Sequence, residues 1–349
     1  MNYTGLINKY CYHLPISRTA RIITLNEGNT PLIESVNLRN AVNPDIRIYY
    51  KYEGANPTGS FKDRGMTVAV TKAVEDGAKA VMCASTGNTA ASAAAYAARA
   101  QLRCFVIVPK GKIAIGKFSQ SIIFGAQLIE IDGNFDDSLN IVREIGKRYP
   151  ITIVNSINPY RIEGQKTAAF EICEQLGQPP TYQVLPVGNA GNITAYWKGY
   201  KEWILEKERR PKMLGFQAAG AAPIVLGHPV EKPETFATAI RIGNPASWKQ
   251  AEAARDESGG MIDMVTDEEI LEAYRLMARL DGVFAEPAST AGVAGIIKYS
   301  KKGFFKKGDV IVCTLTGNGL KDPDSAQLGV ELPKPVPAKL EAVTEIIGI

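Results

Sequence analysis

A chain of 349 residues exceeds the size at which one hydrophobic core usually stops growing, so two domains are expected. Hydrophobic residues at 45% and charged residues at 22% exclude disordered and fibrous classes. The net charge of +4 comes from lysines and arginines interleaved with acids, which leaves no basic stripe for nucleic acid and keeps small anionic ligands open.

Residues 1–10 carry no apolar run of signal-peptide length, and no stretch reaches an uninterrupted membrane span. The first strand is expected over 46–53 and the first helix over 60–76. At their junction, Pro57-Thr58-Gly59-Ser60-Phe61-Lys62-Asp63-Arg64-Gly65 sets one lysine in a tight turn at the positive end of a helix. An amine so placed is a candidate for a Schiff base with an aldehyde cofactor; the alternative is an exposed lysine on a surface helix. A strand over 80–84 leads through Ser85-Thr86-Gly87-Asn88-Thr89 into a helix over 88–100, whose alanines, broken by Ser92 and Arg99, indicate tight packing. Short polar side chains of that kind cap helices. They also suit a carboxylate, with the Asn88 amide available to a phenolic oxygen.

After a strand over 104–108, Gly111 and Gly116-Lys117 have P-loop spacing, and Lys112 is within reach of a substrate anion. Phe118 stands where that motif needs Ser or Thr to hold magnesium. Helices over 113–124 and 135–148 alternate with strands over 128–131 and 151–154. Next, Asn155-Ser156-Ile157-Asn158-Pro159-Tyr160-Arg161 offers an arginine among hydroxyl and amide groups, suited to a phosphate monoester or to an ordinary helix cap. A helix over 160–176 and a strand over 182–186 precede Gly188-Asn189-Ala190-Gly191-Asn192, which opens a helix over 191–208. Free amides at such a glycine turn suit a phosphate, although plain strand-to-helix turns look similar. A strand over 214–217, helices over 245–257, 267–280 and 287–300, and a strand over 310–315 complete the series. Thr316-Gly317-Asn318-Gly319 ends it, with a hydroxyl suited to a ring nitrogen or simply to a turn. The tail from Pro323 is proline-rich and is expected on the surface.

This alternation indicates an α/β protein of two doubly wound open-sheet domains, with a boundary near 155–165 and every motif at the carboxyl end of a strand. The five cysteines, Cys11, Cys83, Cys104, Cys173 and Cys313, are odd in number and scattered, so reduced thiols, no metal knuckle and a cytoplasmic setting are expected. With His13 and His228 as its only histidines, the chain leaves proton transfer to a lysine of lowered pKa.

Lys62 in its turn, Asn88, the cradle from Gly188 to Asn192, and Thr316 occur in the order and spacing of the fold-type II pyridoxal phosphate enzymes, which the chain resembles over nearly its whole length. Those motifs are shared with serine and threonine dehydratases. The likeness also takes in Ile162-Glu163-Gly164-Gln165-Lys166 and Glu286-Pro287-Ala288-Ser289, and the segments 155–161 and 241–248 make it closest to the threonine synthases of that family. It implies a tryptophan synthase β-subunit-like fold, with 1–62 and 160–349 as a large cofactor-binding domain and 63–159 as a small substrate-binding domain. It implies pyridoxal 5'-phosphate held by Lys62, Phe61, Asn88, Gly188, Asn189, Ala190, Gly191, Asn192 and Thr316, with Lys62 catalytic. O-phosphohomoserine would place its carboxylate on Ser85, Thr86 and Thr89 and its departing phosphate on Asn155, Ser156 and Arg161, giving threonine and phosphate as the last step of threonine biosynthesis. A cytoplasmic homodimer is implied, of compact form without allosteric activation, and without metal, membrane or nucleic-acid partners. A threonine or serine dehydratase of the same fold is the alternative, and a P-loop nucleotide-binding protein a more remote one.

Overall fold

The structure is a computed structural model that describes residues 2–111, 115–328 and 334–348. Among these residues the strands are β1 (Leu32–Ser35), β2 (Arg47–Tyr52), β3 (Ala80–Ala84), β4 (Arg103–Pro109), β5 (Gln127–Ile131), β6 (Ile151–Ile153), β7 (Tyr182–Pro186), β8 (Lys212–Ala218), β9 (Met261–Val265) and β10 (Val310–Leu315). They form a six-stranded sheet ordered β1-β2-β10-β7-β8-β9 and a four-stranded sheet ordered β5-β4-β3-β6. Pairing is parallel except at the edge, where β1 runs antiparallel to β2. Strands β3, β7 and β10 are buried along their whole length, which is why they read as continuous apolar runs rather than alternating ones.

Each sheet has one point where the chain reverses its direction of travel across the strands, and these points locate the crevice. In the large sheet the chain steps outward from β7 to β9 and returns on the other side as β10, so Gly188 and Thr316 emerge side by side. In the small sheet it steps from β3 to β5 and returns as β6, which brings Ser85 and Asn155 together.

Two helices set the distance between these points. The helix Lys62–Glu75 crosses the helix Pro159–Leu176 where Gly65 meets Gly164. A Cβ on Gly164 would lie 1.8 Å from the Arg64 carbonyl oxygen, and one on Gly65 would lie 2.8 Å from that of Arg161. Only glycine allows backbones this close, and the approach draws Lys62 and Arg161 together from distant parts of the chain. Beside the crossing, the Arg64 guanidinium is buried between Glu53 (2.7 Å) and Glu171 (2.6 Å), and Lys51 adds a 2.8 Å bond to Glu171. Burial alone would raise the Glu171 carboxyl, but Arg64 and Lys51 hold it well below its ordinary range.

The alternating α/β pattern is present as the sequence indicates, with β1 and β9 added as short edge strands whose partial burial hides them from a search for apolar runs. The helix expected over 191–208 ends at Trp203, where stacking on Phe170 at 4.8 Å holds the last turn and Ile204 turns extended. The helix expected from 245 begins at Trp248, because the preceding residues fold onto Asn189. Near the C-terminus, the surface tail contains an exposed helix, Leu340–Ile347. Lys112 lies outside the described residues, while Gly111 occupies a turn whose N–H donates to Glu130.

Candidate active site

The turn carrying Lys62 is pinned from both sides. Asp63 accepts hydrogen bonds from the Thr58 amide (2.7 Å), the Thr58 hydroxyl (2.6 Å) and the Ser92 hydroxyl (2.6 Å), so the first turn of one helix is tied to the middle of the next. Burial nevertheless pushes the Asp63 carboxyl up to about 6. On the other side the Phe61 N–H donates to the Thr316 carbonyl (2.9 Å) and the Asn318 N–H to the Gly59 carbonyl (2.9 Å), stitching the turn to the segment that leaves β10. Gly59, at φ +85°, makes this path available. The Lys62 amine lies 4.0 Å from the centre of the Phe61 ring. Burial lowers its pKa to about 7, assisted by the charge of Arg161 and opposed by that of Glu286. Near neutral pH a substantial share of this amine is therefore unprotonated and nucleophilic.

At the end of β10, the Thr316 hydroxyl bonds Ser289 (2.9 Å) and Glu286 (3.0 Å), and Glu286 also accepts from the Asn88 amide (2.9 Å). One carboxylate thus joins Asn88 at the start of the helix Asn88–Ala100 to Thr316 in the other sheet. The lower cradle is different in kind. The helix Gly191–Trp203 has no side-chain cap, and Ala190 before it adopts the left-handed conformation at φ +63°. Both polar side-chain atoms of Asn192 are buried without a partner among the described residues. A Cβ on Gly188 would lie 3.0 Å from the Ile240 Cα, so the wall behind the turn leaves no space for a side chain. Uncapped amides, an orphaned buried carboxamide and a glycine wall are what a phosphate requires. With Lys62 and Thr316 at the neighbouring strand end, these residues fit pyridoxal phosphate. Asn189 serves the cradle from outside, accepting from the Ser247 amide at 3.2 Å and the Ala246 amide at 3.4 Å.

On the small-sheet side, Ser85 and Thr89 are half-buried and Thr86 is exposed at the turn after β3. The Ser85 hydroxyl accepts from the Gly87 amide at 3.2 Å. Asn155 accepts from the Ala84 amide at 2.9 Å and donates to the Ala84 carbonyl at 2.8 Å, so it holds that turn in place. Ser156 follows it, half-buried. Arg161 is buried, donates to the Val154 carbonyl at 3.2 Å and keeps its Nε without a partner among the described residues. Burial brings its pKa down to about 10, a guanidinium short of counter-charge and suited to an incoming anion.

Three residues without a role assigned from the sequence belong to this cluster. Glu286 sits before a proline at a helix start and reads locally as a cap, yet its side chain turns inward. Ser289 braces Thr316 and accepts from the Gly317 amide at 3.2 Å. Lys321 donates to Thr58 and Gln120, and burial lowers its pKa. Neither histidine joins the site: His13 packs against Phe170 and Trp203, and His228 lies on the surface beside the Pro229 carbonyl. Among the described residues no cluster of histidine, cysteine or acid side chains could hold a metal ion, and no helix is long and apolar enough to cross a membrane.

Residues 23–317 match the model of a family described as pyridoxal-phosphate dependent enzymes. A threonine synthase of Bacillus sp. (strain ULM1) is 59% identical over 325 residues, covering 93% of this chain and 92% of that protein. A threonine synthase of Synechocystis sp. is 56% identical, over 99% of this chain and 91% of its own length. Among solved structures, cysteine synthase from Entamoeba histolytica superposes with a TM-score of 0.76 at 20% identity, over 96% of this chain and 99% of that one, a likeness of fold alone.

Proposed function

The chain belongs to the pyridoxal-phosphate-dependent enzyme family, among its threonine synthases, and on that premise we propose how its own residues divide the work. The reaction is that of a carbon–oxygen lyase: O-phosphohomoserine loses phosphate and gains water to give threonine. The observation that carries this reading is near-full-length identity of 59% to a threonine synthase, far above the level at which fold alone is shared.

Pyridoxal phosphate, when bound, supplies an electron sink for a carbanion at the substrate α carbon. Lys62 anchors the cofactor and provides the amine that moves protons, a task supported by a pKa of about 7. Phe61 flanks that amine, Asn88 and Thr316 offer neutral hydrogen-bond partners to the cofactor ring, and the amides from Gly188 to Asn192 take its phosphate. Ser85, Thr86 and Thr89 receive the substrate carboxylate, on a turn that Asn155 holds through Ala84. Arg161, with Ser156, takes the phosphate as it departs and its charge grows. A large domain of residues 1–62 and 160–349 would carry the cofactor and a small one of 63–159 the substrate turn, in a homodimer. A cytoplasmic location accords with cysteines that are all unpaired.

The test is one pair of assays on purified, cofactor-loaded protein: inorganic phosphate released from O-phosphohomoserine, and 2-oxo acid formed from threonine. Phosphate release with threonine as product is expected. Oxo-acid formation without phosphate release would assign a dehydratase instead. Borohydride reduction and peptide mapping then test the anchor; a cofactor label on any residue other than Lys62 would remove it from that role.

A further inference from the structure

Glu286 is 4% exposed and heads the helix Pro287–Lys301, at the position from which a side chain can cap the first turn. It makes no such bond. Its backbone N–H instead donates to the Gly317 carbonyl at 2.9 Å, which swings the side chain into the crevice. There Oε2 accepts from the Asn88 amide at 2.9 Å and Oε1 from the Thr316 hydroxyl at 3.0 Å. The space is built for it, since a Cβ on Gly317 would lie 2.6 Å from the carboxylate.

The hydrogen positions follow from the donors available. The Gly317 amide must donate to the Ser289 oxygen, so the Ser289 hydroxyl is free to donate to Thr316, whose own proton goes to Glu286. Burial raises the Glu286 carboxyl above its ordinary range, while the hydrogen bonds from Asn88 and Thr316 and the charges of Lys62 and Lys321 oppose that rise and favour the ionised form. The charged groups facing the cluster are Lys62 from the helix Lys62–Glu75, Arg161 from the helix Pro159–Leu176 and Lys321 from the turn Gly319–Lys321. Asp63 faces Lys321 but is occupied by Thr58 and Ser92. Three basic side chains therefore face the inward carboxylate of Glu286.

Resting on the functional reading above, we propose that Glu286 is a positioning residue for Lys62: its carboxylate, clamped between Asn88 and Thr316, supplies a negative charge that offsets Arg161 and makes the Lys62 amine hold its proton more tightly. Its two hydrogen bonds also keep Asn88 and Thr316 aligned across the two sheets.

The experiment compares wild type with Glu286→Gln, which keeps the shape and loses the charge, and Glu286→Asp, which keeps the charge and draws it back by one methylene. In cofactor-free protein, Lys62 is acetylated with limiting acetic anhydride from pH 5 to 10 and quantified by peptide mapping. Glu286→Gln is expected to move the midpoint down by about one pH unit, a roughly tenfold faster modification on the acid side. Glu286→Asp is expected to fall between it and wild type. In cofactor-loaded protein, the pH midpoint of the visible band should move in the same order. An unmoved midpoint in Glu286→Gln overturns the proposal, as does a shift in Glu286→Asp as large as that in Glu286→Gln, which would mark a packing effect. Should Glu286→Gln fail to fold, an unmoved midpoint in Glu286→Asp overturns it. The cofactor-free measurement does not need the functional reading to hold: a protein that develops no visible band with pyridoxal phosphate refutes that reading, while the acetylation midpoints still decide the role of Glu286.

Discussion

Burial and the Arg161 guanidinium together pull the Lys62 amine down to about 7, with Glu286 opposing them. Below that pH the amine is protonated and cannot attack an aldehyde, so cofactor capture by the free protein is predicted to slow roughly tenfold between pH 8 and pH 6. Stopped-flow absorbance would check this, and a pH-independent rate would place the working pKa elsewhere. Lys62→Ala is expected to abolish covalent attachment and lower turnover by about a hundredfold to ten-thousandfold with the fold retained. Residual turnover at the wild-type level would refute the role. Among the described residues the Arg161 Nε has no partner in its buried setting. Arg161→Lys retains the charge but loses the planar fork, and is predicted to raise KM for the phosphorylated substrate about tenfold or more while cofactor retention is unchanged. Equal loss of both would move Arg161 out of the substrate site. Lys62, Asn88 and Thr316 can be nominated from the sequence because each stands in a short motif at the end of a strand. The role of Glu286 is not legible, although its segment 286–289 is, because its inward turn depends on a hydrogen bond to Gly317, 31 positions along the chain.

The helices matter here mainly through one crossing. Gly164 lies so close to the Arg64 carbonyl that any side chain must push the helix Pro159–Leu176 away. Gly164→Ala is therefore predicted to cost about 1–3 kcal/mol or more by overpacking. A displacement of an ångström between Lys62 and Arg161 would also lower kcat/KM by about a hundredfold, even though residue 164 touches no substrate. Denaturant unfolding and steady-state kinetics on the same preparation would check both effects, and wild-type values would show that the crossing tolerates a methyl group. Element types were readable because buried parallel strands such as β3 and β10 are unbroken apolar runs. Edge strands β1 and β9 were not, since partial burial dilutes that signal. The early end of the helix at Trp203 was equally hidden, because nothing local announces a stacking partner at Phe170.

Across the whole molecule, the buried group of Lys51, Glu53, Arg64 and Glu171 joins β2 to both crossing helices, and the Asn29 amide bonds Glu171 at 2.8 Å. Glu171→Gln would leave Lys51 and half of the Arg64 guanidinium buried without counter-charge, at a predicted cost of about 3–5 kcal/mol. Chemical denaturation would measure it, and a loss below 1 kcal/mol would mean that water or a rearrangement satisfies the cations. The sequence alone determined the architecture class and, through the family its strand-end motifs resemble, the cofactor, because alternating strand and helix periods and such motifs are local properties. The tertiary structure decided which strand ends meet. Strand order is a property of pairing between distant segments, and only that pairing sets Thr316 beside Gly188, spends Asn155 on Ala84 and brings Glu286 and Arg161 to bear on one amine.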